Sequence, residues 1–503
     1  MDYFLGIDLG TTNIKATLID IEGKYLGSSE EGYPIISLHP GWAEQDPLLW
    51  WKKTIEVVNK VITKTGIKKS SIKGIGFSGQ MHGIVPIDKN GDPLYNAIIW
   101  ADQRVYKEVE FLKSHIPKEI FSKKIGNFPN SGFTAPKIMW FKKNRPELYK
   151  KTYKFLFPKD FIRHKITKDV YTEYSDASAS LLFDLKKKTW SFEIMELLNL
   201  DIDKMPSIVK SSDITGEVTK EFSILTGIPE GTKVVAGGGD QPCTALGNFV
   251  LSEDTALVTV GTGGQLFYPV DTFKVDPKLR VHTLLHVVEN TYYIMGAIQS
   301  AGASLKWWMD NITDEFTYND IDNTPPSQPG AKGMLFTPYL FGERTPHMDD
   351  KIKASFVGVS FSHTREDFIR AIMEGVSFAI REGKEIIENL KRKPRKYFLA
   401  GGITKSKTWS QIISNILKEE LYILEGEEKA AYGASLLALM GSLGKENLSF
   451  NPQIKTHIYP EKKYFSLYDE LFSVYKEIYV THKDIDYKIF SIFQKGDKDE
   501  NLA

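Results

Sequence analysis

Short apolar runs broken by glycine turns alternate with longer amphipathic stretches along the chain, the pattern of an α/β protein. Tyr3 to Asp8, Ile14 to Ile19 and Lys24 to Ser28 read as strands, joined through Gly10-Thr11-Thr12-Asn13 and Asp20-Ile21-Glu22-Gly23. They form an antiparallel meander with a Gly-Thr-Thr turn at its head. Asp46-Pro47 opens a helix that runs to about Lys64, with proline at its first position. Lys73 to Phe77 is a further strand, and Val85 to Trp100 holds a β-loop-β unit. The second half begins the theme again. Thr255 to Val260 and Gln265 to Tyr268 are strands around Gly261-Thr262-Gly263-Gly264, Met334 to Pro338 is a strand, and a helix runs from Arg365 to Lys391. Lys396 to Ala400 ends in Gly401-Gly402, and Ile403 to Ser406 opens a helix carrying Trp409 and Asn415. Ala430 to Met440 is alanine-rich and helical, and Gly433 within it suits either helix packing or the approach of an adenine ring. Two Gly-Thr hairpins, one in each half, suggest related domains gripping one polyphosphate.

At 503 residues the chain exceeds one ordinary core, so two or more domains are expected. Its 64 basic and 64 acidic side chains cancel, which argues against a nucleic-acid or membrane partner. The single cysteine, Cys243, excludes an internal disulfide. With no signal-peptide pattern after Met1 and no long apolar run, a cytoplasmic protein is expected. The last ten residues, from Gln494, read as a polar tail.

The chemistry gathers at glycine-flanked strand ends. Lys233 to Ala236 is an apolar run ending in Gly237-Gly238-Gly239-Asp240-Gln241, where glycine permits a sharp turn and close ligand approach. Read alone, Asp240 is better taken as the cap of the helix that follows. Asp8 precedes a turn whose N–H groups and hydroxyls suit phosphate oxygens, and its carboxylate suits a divalent cation. Read alone, that stretch is an ordinary hairpin. Ser78-Gly79-Gln80-Met81-His82-Gly83 puts a histidine between glycines at a strand end, able to reach into a pocket. Gly342-Glu343-Arg344-Thr345-Pro346-His347 is a charged loop. His282 and His286 sit in an alternating run. On a strand they stand about 13 Å apart, too far to share a zinc ion. There is no Gly-x-x-x-x-Gly-Lys-Ser/Thr phosphate loop.

Taken in order, these blocks resemble the FGGY family of sugar kinases over almost the whole chain. The resemblance rests on Gly6 to Thr12, Ser78 to Gly83, Trp100-Ala101-Asp102-Gln103-Arg104, Gly132 to Trp140, Gly237 to Asp240, Gly342 to His347 and Gly401 to Ser406. The block around His82 points to the branch of the family that phosphorylates D-xylulose. The resemblance implies two actin-like (ribonuclease-H-like) α/β domains with an ATP and sugar cleft between them, here residues 1–235 and 236–490, with 491–503 as tail. It implies transfer of the terminal phosphoryl of ATP to the hydroxyl on carbon five of D-xylulose. Asp240 would be the general base, and Asp8 would organise magnesium and the transferred phosphate, with Asp240 as the second metal-facing carboxylate. Met81, His82, Asp240 and Gln241 would hold the sugar. Gly10, Thr11, Thr12 and Asn13 would cradle phosphates together with Gly261, Thr262 and Gly263, and Gly401, Gly402, Ser406 and Asn415 would flank the adenosine. Family habit points to a homodimer. Gln241 stands where asparagine is usual, Gly263 where serine is common and Ala101 where asparagine is frequent. These departures keep ribulose, ribitol, gluconate or glycerol open as acceptors. A motile or chaperone-like ATPase is the rival from another class, and a glycoside hydrolase using Asp8 and Asp240 is a third reading.

Overall fold

Glycine–threonine hairpins head both main sheets of the computed structural model, which describes residues 1–313, 317–318, 320–323, 327–426, 429–445 and 452–499. The first sheet is built from β1 (Tyr3–Leu9), β2 (Asn13–Asp20), β3 (Tyr25–Gly32), β4 (Ile72–Gly79), β5 (Ile214–Glu217), β6 (Lys233–Val235) and β7 (Gly238–Gly239). Its order is β5-β6-β4-β1-β2-β3, with β7 also on β4. The second contains β8 (Thr255–Val260), β9 (Gly264–Val270), β10 (His282–Leu285), β11 (Tyr292–Ile298), β12 (Lys396–Ala400), β13 (Leu421–Leu424) and β14 (Ile454–Ile458). Its order is β10-β11-β9-β8-β12-β13-β14. In each sheet the first hairpin strand pairs antiparallel with its partner and parallel with a later strand: β1 with β2 and β4, β8 with β9 and β12. The two halves therefore share one strand plan, as the two-domain expectation requires.

Helix α1 (Pro47–Thr65) follows the expected signals. Asp46 accepts from the Leu48 N–H, Pro47 opens the first turn, and Gly66 closes the helix at φ 66°. Its buried face, including Trp50, Val57, Val58 and Val61, packs with Leu5, Ile7 and Ile14 of the sheet. Three later helices matter to the site: α2 (Pro158–Thr167), α3 (Asp240–Gly247) and α4 (Gly302–Asn311). Beyond them lie α5 (Arg365–Glu388), α6 (Lys407–Leu417), α7 (Lys429–Leu443) and α8 (Phe465–Asp499). No described helix is long and apolar enough to cross a membrane.

The chain order and the packing disagree in one place. Helix α7 belongs to the second half of the sequence but lies on the first sheet and on α3. Side chains are excluded there: a Cβ on Gly6 would stand 2.0 Å from the Ala431 carbonyl, and one on Gly433 would stand 2.0 Å from the Cys243 carbonyl. Gly433 is thus a packing glycine, with no room for a nucleotide base. The expected division at 235/236 falls inside the first sheet, because β7 pairs with β4; the chain crosses to the second sheet between Gly247 and Thr255. At the other end α8 carries the backbone helical to Asp499, through much of the stretch expected as a tail, and 500–503 lie outside the described residues.

Candidate active site

Three neighbouring strand ends deliver the carboxylates. Asp8 of β1 is in register with Ser78 of β4, and Ser78 is in register with Gly238 of β7. The Ser78 hydroxyl donates to Asp8 Oδ1 at 2.7 Å, fixing the buried carboxylate. Asp240 follows β7 as the first residue of α3, and Gly239, not Asp240, is the cap. Asp240 therefore does not cap the helix, and its carboxylate accepts from the adjoining Gln241 N–H at 2.8 Å. Burial, and then the facing charge of Asp8, push Asp240 up to about 7. The glycines have separate reasons to be glycine. Gly237 has φ 87° with the Phe77 carbonyl 2.4 Å from where a Cβ would sit, and a Cβ on Gly239 would strike Met81.

Behind this turn lies a buried charge cluster that local sequence does not reveal. Gly239 N–H donates to Ser175 Oγ, which donates to Glu173; Glu173 also accepts from Ser211. Lys159 of α2 lies 2.8 Å from Asp160, 2.8 Å from Asp176 and 3.4 Å from Glu173, all fully buried. Arg163 donates to Asp160 and to the Ala236 carbonyl just before the glycines. The strand end that presents Asp240 is thus held on one side by the Ser175 hydroxyl and on the other by the Arg163 guanidinium.

Met81 is buried in a cluster drawn from both halves, with Ala245, Leu257, Tyr293 and Met295 among its members. His82 adopts φ 70°, bonds Ala179 O through Nδ1 at 2.8 Å and packs edge-on to Phe133. Burial lowers it to about 3, so the ring is neutral and, with Nδ1 donating, presents Nε2 as an acceptor. Gln241 is half-buried beside Asp240. His282 and His286 take separate partners, Asn127 Oδ1 and Val250 O.

The two Gly-Thr turns share a device. In the first, Gly10 N–H bonds Asn13 O, while Tyr33 N–H takes Thr12 O, the Tyr33 hydroxyl takes Gly10 O and Gln45 takes Thr11 O. Trp100 Nε1–H adds a 2.8 Å bond to the Thr11 hydroxyl. In the second, Gly261 N–H bonds Gly263 O, Gly302 N–H takes Gly261 O, and the N–H groups of Ala301 and Ala303 both take Thr262 O. The carbonyls are consumed, and among the described residues no protein acceptor takes the N–H of Thr11, Thr12, Thr262 or Gly263. Such converging donors suit an anion.

Two cavities adjoin at Gly402 and Lys405. One, of about 910 Å³, lies between the halves and is lined by Asp8, Lys15, Thr244, Thr259, Gly401 and Gly402 among others. The other, of about 970 Å³, is lined by Gly261, Thr262, Gly302, Trp307, Gly402, Ser406 and Trp409 among others. The Gly402–Lys405 turn separates them. Two expected nucleotide contacts are changed by the structure. Ser406 caps α6 and donates to Asp322, whose carboxylate also takes the N–H groups of Lys407 and Thr408, so the helix N-terminus holds an internal anion. Asn415 lies buried in α6, exchanging bonds with Gln411 and Glu461, and lines neither cavity.

Residues 3–247 match the N-terminal domain of the FGGY family of carbohydrate kinases, and residues 256–442 match its C-terminal domain. The chain belongs to the FGGY family of carbohydrate kinases. It is similar to a xylulose kinase of Bacillus subtilis (strain 168), at 36% identity over 89% of this chain and 90% of the relative. Its fold is similar to the ligand-bound xylulose kinase from Lactobacillus acidophilus, at TM-score 0.90 and 26% identity over 97% of this chain and 100% of that one. It is similar also to the gluconate kinase from Lactobacillus acidophilus, at TM-score 0.89 and 26% identity over 96% and 98%. As an FGGY kinase the protein is a phosphotransferase that uses ATP and a carbohydrate hydroxyl.

Several residues of this FGGY kinase's site carry no signal that a local reading picks up. Tyr33, Gln45 and Trp100 reach the first turn from 23, 34 and 89 residues away. Asp102 and Arg104 prove to be framework: Arg104 pairs with Asp102 and Glu44 and lies 3.6 Å over the Trp42 ring. They hold the loop from which Trp100 projects. The magnesium ion expected of such a kinase has a fitting pair of donors, since Asp8 and Asp240 stand at neighbouring strand ends of one sheet. Magnesium is held through one or two carboxylates plus nucleotide oxygens.

Proposed function

We propose that this protein transfers the terminal phosphoryl group of ATP to the C5 hydroxyl of D-xylulose, with Asp240 as general base. The observation that carries the mechanism is the placement of Asp240 on a glycine-flanked strand end opposite Asp8, raised to about 7. A base of that strength takes a hydroxyl proton effectively near neutral pH. As the C5 oxygen bonds to phosphorus, its proton passes to Asp240 Oδ and the bond from phosphorus to the bridging oxygen of ADP breaks. The free N–H groups of Thr11, Thr12, Thr262 and Gly263 hold phosphate oxygens from the two sides. Asp8 and Asp240 would hold a magnesium ion, which when bound neutralises charge on the phosphates. Ser78 keeps Asp8 turned toward that position. Met81 and His82 flank the sugar, the neutral imidazole accepting from a hydroxyl, and Gln241 borders it.

Support for D-xylulose as the acceptor comes from relatives called xylulose kinase that are 30–36% identical over 86–94% of this chain. The gluconate kinase is similar in fold at lower identity. A coupled ADP-release assay over D-xylulose, ribulose, ribitol, gluconate and glycerol tests the reading. D-xylulose should give the highest kcat/KM. A higher value for another member would replace the acceptor, and ADP release that ignores all of them would favour an ATPase.

A further inference from the structure

The loop Gly342 to His347 carries a cation that the mechanism above does not use. Its base is fixed in the second half of the molecule: Thr345 N–H bonds Ala297 O at the end of β11, and the Thr345 hydroxyl accepts from Ala297 N–H. Glu343 accepts from the N–H groups of Gln299 and Arg344. From there the half-buried Arg344 side chain crosses to the first half, its Nη2 lying 3.4 Å from where a Cβ on Gly132 would be.

Nothing it meets there is negative. The carbonyls of Ser131, Gly132 and Phe133 all accept from the Lys137 ammonium. His82 and His282, both near enough to feel the guanidinium, are neutral. Its neighbour Glu343 is buried and pushed up to about 8, so it carries little charge at neutral pH. Among the described residues the Arg344 side chain makes no hydrogen bond or ion pair. The guanidinium is only half-buried and takes no protein acceptor, so a ligand that brings an acceptor can reach it. It lines neither of the two cavities described above.

We infer that Arg344 donates to the carbonyl oxygen of the acceptor, at the end remote from Asp240. The inference rests on the proposed sugar phosphorylation. Asp8 and Asp240 claim the hydroxyl that reacts; His82, beside Arg344, offers an acceptor for a neighbouring hydroxyl. A guanidinium only donates, and a ketone oxygen only accepts. The match selects ketose over polyol. It also makes the sugar a bridge, held by His82 from one half and Arg344 from the other.

The test is equilibrium binding, without ATP, of D-xylulose and of xylitol, which differs by reduction of that carbonyl. Wild type should favour D-xylulose, and Arg344→Gln should weaken D-xylulose binding about 10–100-fold, the range of a charge-assisted hydrogen bond, while xylitol and ATP bind as before. Arg344→Lys, which keeps the charge without the planar fork, should fall between. Equal wild-type affinity for both sugars, a preference unchanged by the substitution, or a loss confined to ATP would each overturn the assignment. Should the glutamine variant fail to fold, a preference in Arg344→Lys equal to wild type would do the same. Phosphorylation assays run alongside separate the two readings. A wild type inactive on D-xylulose removes the function and this inference with it; an active wild type whose preference survives substitution removes Arg344 alone.

Discussion

Asp8 stands two residues before Gly10 in the first hairpin, and Thr259 stands two residues before Gly261 in the second. Both face the cavity between the halves. Across the hairpins Asp8 is in register with Lys15, and Thr259 with Gln265. One strand plan thus carries a charged pair on one side of the cleft and a neutral pair of similar size on the other. The second carboxylate, Asp240, belongs to the charged side too. On the proposed mechanism the difference teaches how a repeated fold divides labour: both turns would supply N–H donors to phosphate, but only one sheet would supply acid–base chemistry. A triphosphate already carries several negative charges, and carboxylates on both walls would repel it.

The largest effect should come from breaking the charged side at its base. Asp240→Asn keeps the shape of α3 and its first turn while removing the proton acceptor. We expect kcat to fall about 10²–10⁴-fold, with the thermal melt and ATP affinity of wild type. Turnover near wild type would contradict the assignment of chemistry to this strand end.

The next test makes the two hairpins alike. Asp8→Thr with Lys15→Gln copies the second hairpin's pair into the first, a substitution that the same backbone plan already accommodates. Turnover should drop about 10²-fold, as for loss of one preorganised electrostatic group. The pH dependence should move as well. Asp240 must be ionised to accept a proton, so kcat/KM rises with pH through its value of about 7. Removing the Asp8 charge lowers that value and carries the acidic limb to lower pH; burial, the larger cause, keeps it above the ordinary aspartate range. An acidic limb that stays in place would mean that Asp8 does not act on Asp240.

How much of this was legible from sequence follows from the range of the interactions. The hairpins, the capped helix α1 and the glycine-flanked Asp240 announce themselves within a few residues. The whole-chain resemblance then supplied the fold and the family. What escaped depends on distant partners. Asp322 fills the α6 helix end from 84 residues away, through Ser406, and no local pattern encodes that. Asn415 was a nucleotide contact only by the family resemblance, and its amide is satisfied inside α6 and by Glu461. Helix α7 reads as an ordinary apolar helix; that it covers the first sheet shows only once Gly6, Gly74 and Gly76 are seen facing it.

The two turns also differ in what fastens them. The second is held by backbone N–H groups of 301–303, so only a change of shape can disturb it. A Cβ on Gly302 would stand 2.4 Å from the Gly261 carbonyl. Gly302→Ala should therefore displace the turn and raise KM for ATP about 10-fold, within the range of an overpacked contact, while sugar affinity in the absence of nucleotide stays put. A KM for ATP equal to wild type would show that the turn tolerates the shift.

The first turn is held by side chains, and here single substitutions should have graded, modest effects. Trp100→Phe removes the indole N–H that bonds the Thr11 hydroxyl but keeps a ring in place. Tyr33 and Gln45 still draw the carbonyls of Gly10 and Thr11 away from the cleft, so the N–H groups should keep their direction. Trp100 is 38% exposed, so water can take up part of the lost bond. A neutral hydrogen bond contributes about 0.5–1.5 kcal/mol, and with that partial replacement the lower end applies: KM for ATP should rise about 2–4-fold, with kcat little changed. The same substitution should not alter D-xylulose binding measured without ATP. An effect of about 10-fold or more, or one that falls on the sugar, would mean that the exposed indole touches the acceptor itself, and the division between a turn that holds phosphate and strand ends that hold sugar would have to be redrawn.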